Sequence, residues 1–209
     1  TGMPWLANDP HLAPTQPSVW YQVGLHCRER TDACPFDVAG FGFSGLPGVV
    51  IGHNDRVAWG VTNLGADVSD LFLEKVTGDS YAVPGGGSEP LTTRTETIKV
   101  AGADDVTVTV RSTRHGPIVS DADETLRDVG EVAPAPDRAP DETYAVALRW
   151  TALDPGRTAD SIFAINRARG WDDFRAAVAL FEVPAQNMVY ADVDGHIGYQ
   201  APGRIPVRS

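Results

Sequence analysis

Runs of alternating apolar and polar residues mark more strands than helices along this chain. Nine segments carry the strand pattern: Val19 to Leu25, Val49 to Gly52, Val57 to Thr62, Leu71 to Val76, Thr95 to Val100, Val106 to Val110, Tyr144 to Trp150, Met188 to Asp192 and Ile197 to Gln200. Gly, Pro, Asn and Asp punctuate them. Asn54-Asp55 lies between Ile51 and Val57, Asp104-Asp105 between Ile98 and Val106, and Asp194-Gly195 between Tyr190 and Ile197. Each reads as a tight turn, and tight turns imply antiparallel pairing.

Helical periodicity is confined to Thr158 to Leu180. Ala159, Ile162, Phe163 and Ile165 form one apolar stripe with Thr158 placed to cap it, and after Gly170 a second helix carries Phe174, Ala177, Val178 and Phe181. Two helices on antiparallel sheet give the class α+β. The Pro, Ala and acid-rich stretch from Asp128 to Asp141 has no periodicity and is expected to be a loop. Neither a repeat nor a domain break shows elsewhere, so residues 1–209 read as one piece.

Of the 209 residues 42% are apolar and 22% charged, enough to bury a sizeable core, and no apolar run approaches the roughly 20 residues of a membrane-spanning helix. The formal charge of −11 and the scattered basic residues disfavour nucleic acid and acidic lipid surfaces. Cys27 and Cys34 flank a short loop-like stretch that either closes as a disulfide in an oxidising compartment or holds two free thiols. The N-terminus lacks the charged start and apolar core of a signal peptide, and both chain ends are abrupt, as in a piece of something longer.

Several chemistries find weak support. Gly42-Phe43-Ser44-Gly45-Leu46 lacks the second glycine of a nucleophile elbow, so a self-contained serine triad is disfavoured. The five histidines, His11, His26, His53, His115 and His196, make no HExxH or HxH pair, which disfavours zinc. Asp192-Val193-Asp194-Gly195 reads as a turn because Gly203 stands where a calcium loop would close on an acid. Asp67 and Asp70 offer two hard oxygens to Ca²⁺, or else an Asx-type turn before a strand.

Taken in order, several blocks say more than any one motif. They are Leu6-Ala7-Asn8-Asp9-Pro10-His11-Leu12, Pro17-Ser18-Val19-Trp20-Tyr21, Gly45-Leu46-Pro47-Gly48, Ile51-Gly52-His53-Asn54, Ala58-Trp59-Gly60-Val61-Thr62-Asn63 and Asp67-Val68-Ser69-Asp70-Leu71. Near the end come Gln186-Asn187-Met188-Val189-Tyr190-Ala191-Asp192, Gly195-His196-Ile197-Gly198-Tyr199 and Gly203-Arg204-Ile205-Pro206-Val207-Arg208. From Leu6 to Arg208 the chain resembles the β-subunit of the penicillin acylase family, one of the N-terminal nucleophile hydrolases; the part from Tyr81 to Asp141 carries the least of the likeness.

The resemblance implies an αββα sandwich of antiparallel sheets between helical layers. It also implies a precursor that cleaves itself to expose a serine, whose α-amine acts as base while its Oγ forms an acyl-enzyme. That serine belongs upstream of Thr1; Thr1 itself matches the turn after the serine hairpin and is not read as the nucleophile. By the same resemblance Asn187 is the oxyanion carboxamide, Asn63 supplies a backbone N–H, His11 contacts the α-amine and Arg208 holds Asn187 and the amine. Asp67 and Asp70 fall on calcium-loop acids, with no cofactor needed for the chemistry. An α-subunit from the same precursor is the implied partner, an N-acyl amide the substrate, and the periplasm or exterior the compartment. The stretch His26 to Gly42 is longer than in the penicillin G enzymes, so acyl preference among penicillins, cephalosporin side chains and acyl-homoserine lactones does not transfer. The rival reading is a non-catalytic β-rich binding module presenting Trp20, Trp59 and Tyr199.

Overall fold

The computed structural model describes residues 2–208 apart from 11, 14, 136, 137, 140, 141 and 143. The chain gathers into two compact units, residues 1–67 with 154–209 and residues 68–153. The first unit opens with β1 (Trp20–His26), β2 (Asp37–Phe43), β3 (Ile51–Asn54) and β4 (Val57–Asn63). The second holds β5 (Ser69–Thr77), β6 (Ser80–Ala82), β7 (Ser88–Pro90), β8 (Thr92–Ile98), β9 (Val106–Thr113), β10 (Gly116–Pro117), α1 (Glu124–Val132) and β11 (Tyr144–Trp150). The chain then returns to the first unit with α2 (Thr158–Asn166), α3 (Trp171–Val178), β12 (Gln186–Asp192) and β13 (Ile197–Gln200).

In the first unit six strands pair in the order β1-β2-β3-β4-β12-β13, antiparallel throughout. Side chains alternate across a sheet, so Val57 and Trp59 of β4 and Met188 and Tyr190 of β12 share the face that meets the helices. There they pack with Ile165, Phe174, Ala177 and Val178, and Trp59, Phe174 and Met188 are at most 1% exposed. The expected class, α+β with helices on antiparallel sheet, is what this unit displays.

Strand β2 is the main addition to the expected set, which places no strand between Leu25 and Val49. Four of the residues in DVAGFGF are apolar and two are glycine, with Val38 and Ala39 adjacent, so the alternation is faint. The glycine is required: a Cβ on Gly40, at φ +156°, would stand 2.1 Å from the carbonyl oxygen of Ile51 on β3. Thr158 is likewise not the cap of α2, since Arg157 holds that position; its hydroxyl binds Glu182 and Val183 of the following loop.

The second unit holds a four-stranded sheet, β11-β5-β6-β7, and a three-stranded sheet, β10-β9-β8. Val146, Ala147, Ile118 and Tyr81 are buried, as is Glu74, whose Oε1 meets the Thr113 hydroxyl and His115 Nδ1, each at 2.7 Å. Residues 128–132, expected as loop, are helical instead. Asp123 caps α1 by accepting from the Leu126 N–H, and Gly130 seats the helix against Tyr144. The Thr151 N–H donates to Val68 O at 3.2 Å, so the unit begins and ends at one neck.

The Asp192–Gly195 turn forms as expected and organises a polar knot. Asp192 Oδ1 accepts the backbone N–H groups of Asp194 and His196, while Oδ2 accepts the Tyr190 hydroxyl at 2.8 Å and meets His196 Nδ1 at 2.9 Å. Burial alone would raise the carboxyl, but these hydrogen bonds outweigh it and hold Asp192 at about 2. A depressed folded pKa stabilises the protein above the unfolded value and loses that contribution as pH falls through the folded one. In the full-length protein, Asp192→Asn is therefore expected to flatten the fall of the urea midpoint between about pH 4 and pH 2. A wild-type and mutant difference that stays constant over that window would contradict this.

Candidate functional site

Asn63 on β4 and Asn187 on β12, 124 positions apart in sequence, come together where these two interior strands of the six-stranded sheet pair. β4 and β12 pair with Asn187 opposite Thr62 and Gln186 opposite Asn63. The Asn187 carboxamide nitrogen donates to the Asn63 carbonyl at 3.2 Å, so the two sequence-selected asparagines are brought together. Asn63 also ties its own turn, its Oδ1 accepting from the Gly65 N–H at 3.0 Å.

The direction of the Asn63 N–H follows from ladder alternation. Leu64 donates to Ala185 O, on the β12 side. Asn63 and Val61 therefore aim their N–H groups at the opposite edge. β3 meets β4 at Gly52↔Trp59 and His53↔Ala58, and beyond these pairs the N-terminal segment takes over: Asn8 Oδ1 accepts the Val61 N–H at 2.5 Å. With the Val61 N–H taken by Asn8, the Asn63 N–H is the backbone donor this edge can offer, and such a donor near a carboxamide can bind a developing oxyanion.

Beside this edge lies a cavity of about 480 Å³, with Asn63, Thr62 and Gln186 among its polar lining. Most of the wall is apolar, including Trp20, Phe43, Val50, Val61, Ile162 and Met188. Trp20 and Phe43 pack with ring centroids 4.3 Å apart. The stretch before β3 is pinned from two directions. Trp59 Nε1 donates to Val50 O at 2.9 Å, and the Asn166 side chain takes both backbone groups of Val49, donating to its O at 2.7 Å and accepting its N–H at 2.8 Å. Asn166 is 1% exposed.

Arg208 reaches the chain leaving β4: its guanidinium donates to Asp67 O at 3.2 Å and pairs with the Asp67 carboxylate at 3.1 Å. It thus holds the chain at Asp67. Asp70 sits in β5, opposite Arg149. Calcium takes six to eight oxygens, and among the described residues no group of three or more His, Cys, Asp or Glu gathers at metal-holding distance. Asp67 and Asp70 alone do not make a calcium shell. Thr1 and His11 lie outside the described residues.

Asn8 and Asn166 have no assigned role in the sequence, and Tyr199 has one only as a surface aromatic of the binding-module reading. Asn8 and Asn166 are lone asparagines whose partners lie 53 and 117 positions away, with no local signal. Tyr199 was legible, since the turn at Asp194-Gly195 fixes the register Val189↔Tyr199 and so places Tyr199 diagonally across from Asn187. Trp59, one of three aromatics of the binding-module reading, is 1% exposed and cannot form a contact surface. Cys27 and Cys34 are bridged, with Cα atoms 5.9 Å apart. Among the described residues no helix is long and apolar enough to cross a membrane.

The Penicillin amidase family model matches residues 1–209. Over 211 residues the chain is 31% identical to an acyl-homoserine lactone acylase, QuiP, of Pseudomonas aeruginosa, covering all of this chain and 24% of that protein. It is 31% identical over 206 residues to penicillin G acylase of Escherichia coli, covering 97% of this chain and 22% of that one. In structure it matches the thermostable penicillin G acylase of Alcaligenes faecalis with a TM-score of 0.65 and 26% identity, over 90% of this chain and 30% of that chain. The expected fold class, antiparallel α+β of the N-terminal nucleophile hydrolase type, agrees with that likeness. The chain spans about a quarter of the length of these curated relatives.

Proposed function

The chain belongs to the penicillin amidase family, and on that premise we propose that it is the oxyanion and acyl-pocket portion of an amide hydrolase acting on N-acyl compounds. One observation carries the reading: the Asn187 carboxamide bonds to Asn63 at the end of β4, and Asn63 in turn lines an apolar cavity of about 480 Å³. An apolar acyl group gains roughly 25 cal/mol for each Å² it buries in such a cavity. Its scissile carbonyl then lies at the polar rim.

In this reading an upstream serine, freed by self-cleavage of a precursor, attacks the amide carbon while its own α-amine takes the proton. The tetrahedral oxygen accepts from Asn187 Nδ2 and the Asn63 N–H. Collapse expels the amine, which takes the proton back from the α-ammonium, and water, deprotonated by the same α-amine, then cleaves the acyl ester through the same oxyanion. His11 contacts the α-amine and Arg208, anchored by its ion pair with Asp67, holds Asn187 and the amine. An α-subunit from the same precursor completes the acyl pocket. The Cys27–Cys34 disulfide supports an extracytoplasmic site of action, since such bonds persist in oxidising compartments. Calcium is a structural ion in this reading, with Asp67 and Asp70 contributing two of its oxygens and the rest of the protein supplying the others.

The test is acid release from a panel of N-acyl amides, phenylacetyl through long aliphatic, by the full-length protein. Hydrolysis is expected for apolar acyl groups together with a new N-terminal serine on the catalytic chain. Absence of turnover on every member, with processing complete, would end the amidase reading.

A further inference from the structure

Tyr199 has no role in the reading so far, yet its hydroxyl donates to Asn187 Oδ1 at 2.5 Å. We propose that Tyr199 is a positioning residue for Asn187, fixing and polarising the carboxamide that receives the oxyanion; this rests on the oxyanion reading of Asn187.

A carboxamide has two chemically distinct ends, donors on nitrogen and acceptors on oxygen. Rotated half a turn, Asn187 would offer its oxygen to a developing anion and repel it. The Asn63 carbonyl selects against that rotation, because it can accept from Nδ2 but has nothing to give Oδ1; with the amide so oriented, the Tyr199 O–H donates to Oδ1 and holds it in place. One proton of Nδ2 serves Asn63 O; the other is the donor assigned to the oxyanion. The phenol also draws electron density toward Oδ1, so the remaining N–H becomes a stronger donor, as in any hydrogen-bonded chain.

The strand that carries the phenol is itself held. Val189 pairs with Tyr199 across the β12–β13 hairpin, which sets Tyr199 diagonally beside Asn187 on one face of the sheet. Next to it, Gly198 accommodates the Trp171 ring so closely that a Cβ there would stand 2.2 Å from Trp171 Cζ3. Trp171 in turn packs on Tyr190 and Phe174, with centroids 5.2 and 5.9 Å away. Tyr199 itself is 54% exposed, so loss of its hydroxyl leaves the core untouched.

The experiment compares Tyr199→Phe, Asn187→Ala and the double variant in the full-length protein on an amide that it hydrolyses. Tyr199→Phe is expected to lower kcat roughly three- to tenfold, the range for one net hydrogen bond, with KM within twofold and the thermal midpoint unchanged. The double variant is expected to be no slower than Asn187→Ala alone, because the phenol acts through that side chain. Wild-type kcat in Tyr199→Phe beside a slow Asn187→Ala overturns the positioning role and leaves the oxyanion reading in place. A change in KM alone overturns it too, since it would make Tyr199 a substrate contact. Wild-type kcat in Asn187→Ala removes both.

Discussion

Asn187→Ala in the full-length protein is expected to lower kcat by roughly 10²- to 10³-fold, about 3 kcal/mol of barrier, the usual effect of removing one oxyanion donor. KM should move little, because the carboxamide acts on charge that exists only in the transition state. Asn187→Asp should be no better at neutral pH: the shape is kept, but a carboxylate offers acceptors where a donor is needed and repels the developing charge. Steady-state kinetics on one N-acyl amide, with circular dichroism to show an unchanged fold, decide the matter. Turnover in Asn187→Ala within threefold of wild type would contradict the assignment.

The second large effect falls on stability. Asn166→Ala strips the partners from both backbone groups of Val49, a residue 1% exposed, so neither group can turn to water instead. A stranded buried donor or acceptor costs about 1–3 kcal/mol, and two of them place the expected loss at roughly 2–6 kcal/mol. Chemical denaturation of the full-length variant measures it. Because Val49 and Val50 wall the cavity, KM for apolar acyl substrates is expected to rise in the same variant. A stability change under 0.5 kcal/mol would show that water or a backbone shift replaces the side chain.

How far the residues speak for themselves varies along the chain. β11 and β13 fall where alternation of Val, Ile, Leu and Tyr puts them, and the turns at Asn54-Asp55 and Asp194-Gly195 form as read, whereas the turn between β8 and β9 sits not at Asp104-Asp105 but at Ala101-Gly102, where Gly102 takes φ +78°. β2 is faint because the close approach of β3 demands glycine where an apolar side chain would otherwise advertise a strand. The hairpins β3–β4 and β12–β13 are legible, but their union through β4 and β12 is not. No local pattern states which distant strand fills a sheet position, and the site exists only through that union. Asn187 and Asn63 come from the family likeness of their surrounding blocks. Their mutual hydrogen bond, and the partners of Asn8 and Asn166, come from tertiary contact alone.

The neck at Val68 and Thr151 bears on how such a protein can vary. Everything between those two residues is an excursion whose ends already touch, and the entropy of closing a loop grows only logarithmically, by about 0.6 kcal/mol for each doubling of its length. Insertions and deletions inside the excursion therefore meet a shallow thermodynamic penalty. The spacing from Asn63 to Asn187 along the chain is free to drift in evolution while their separation in space stays fixed by the β4–β12 ladder.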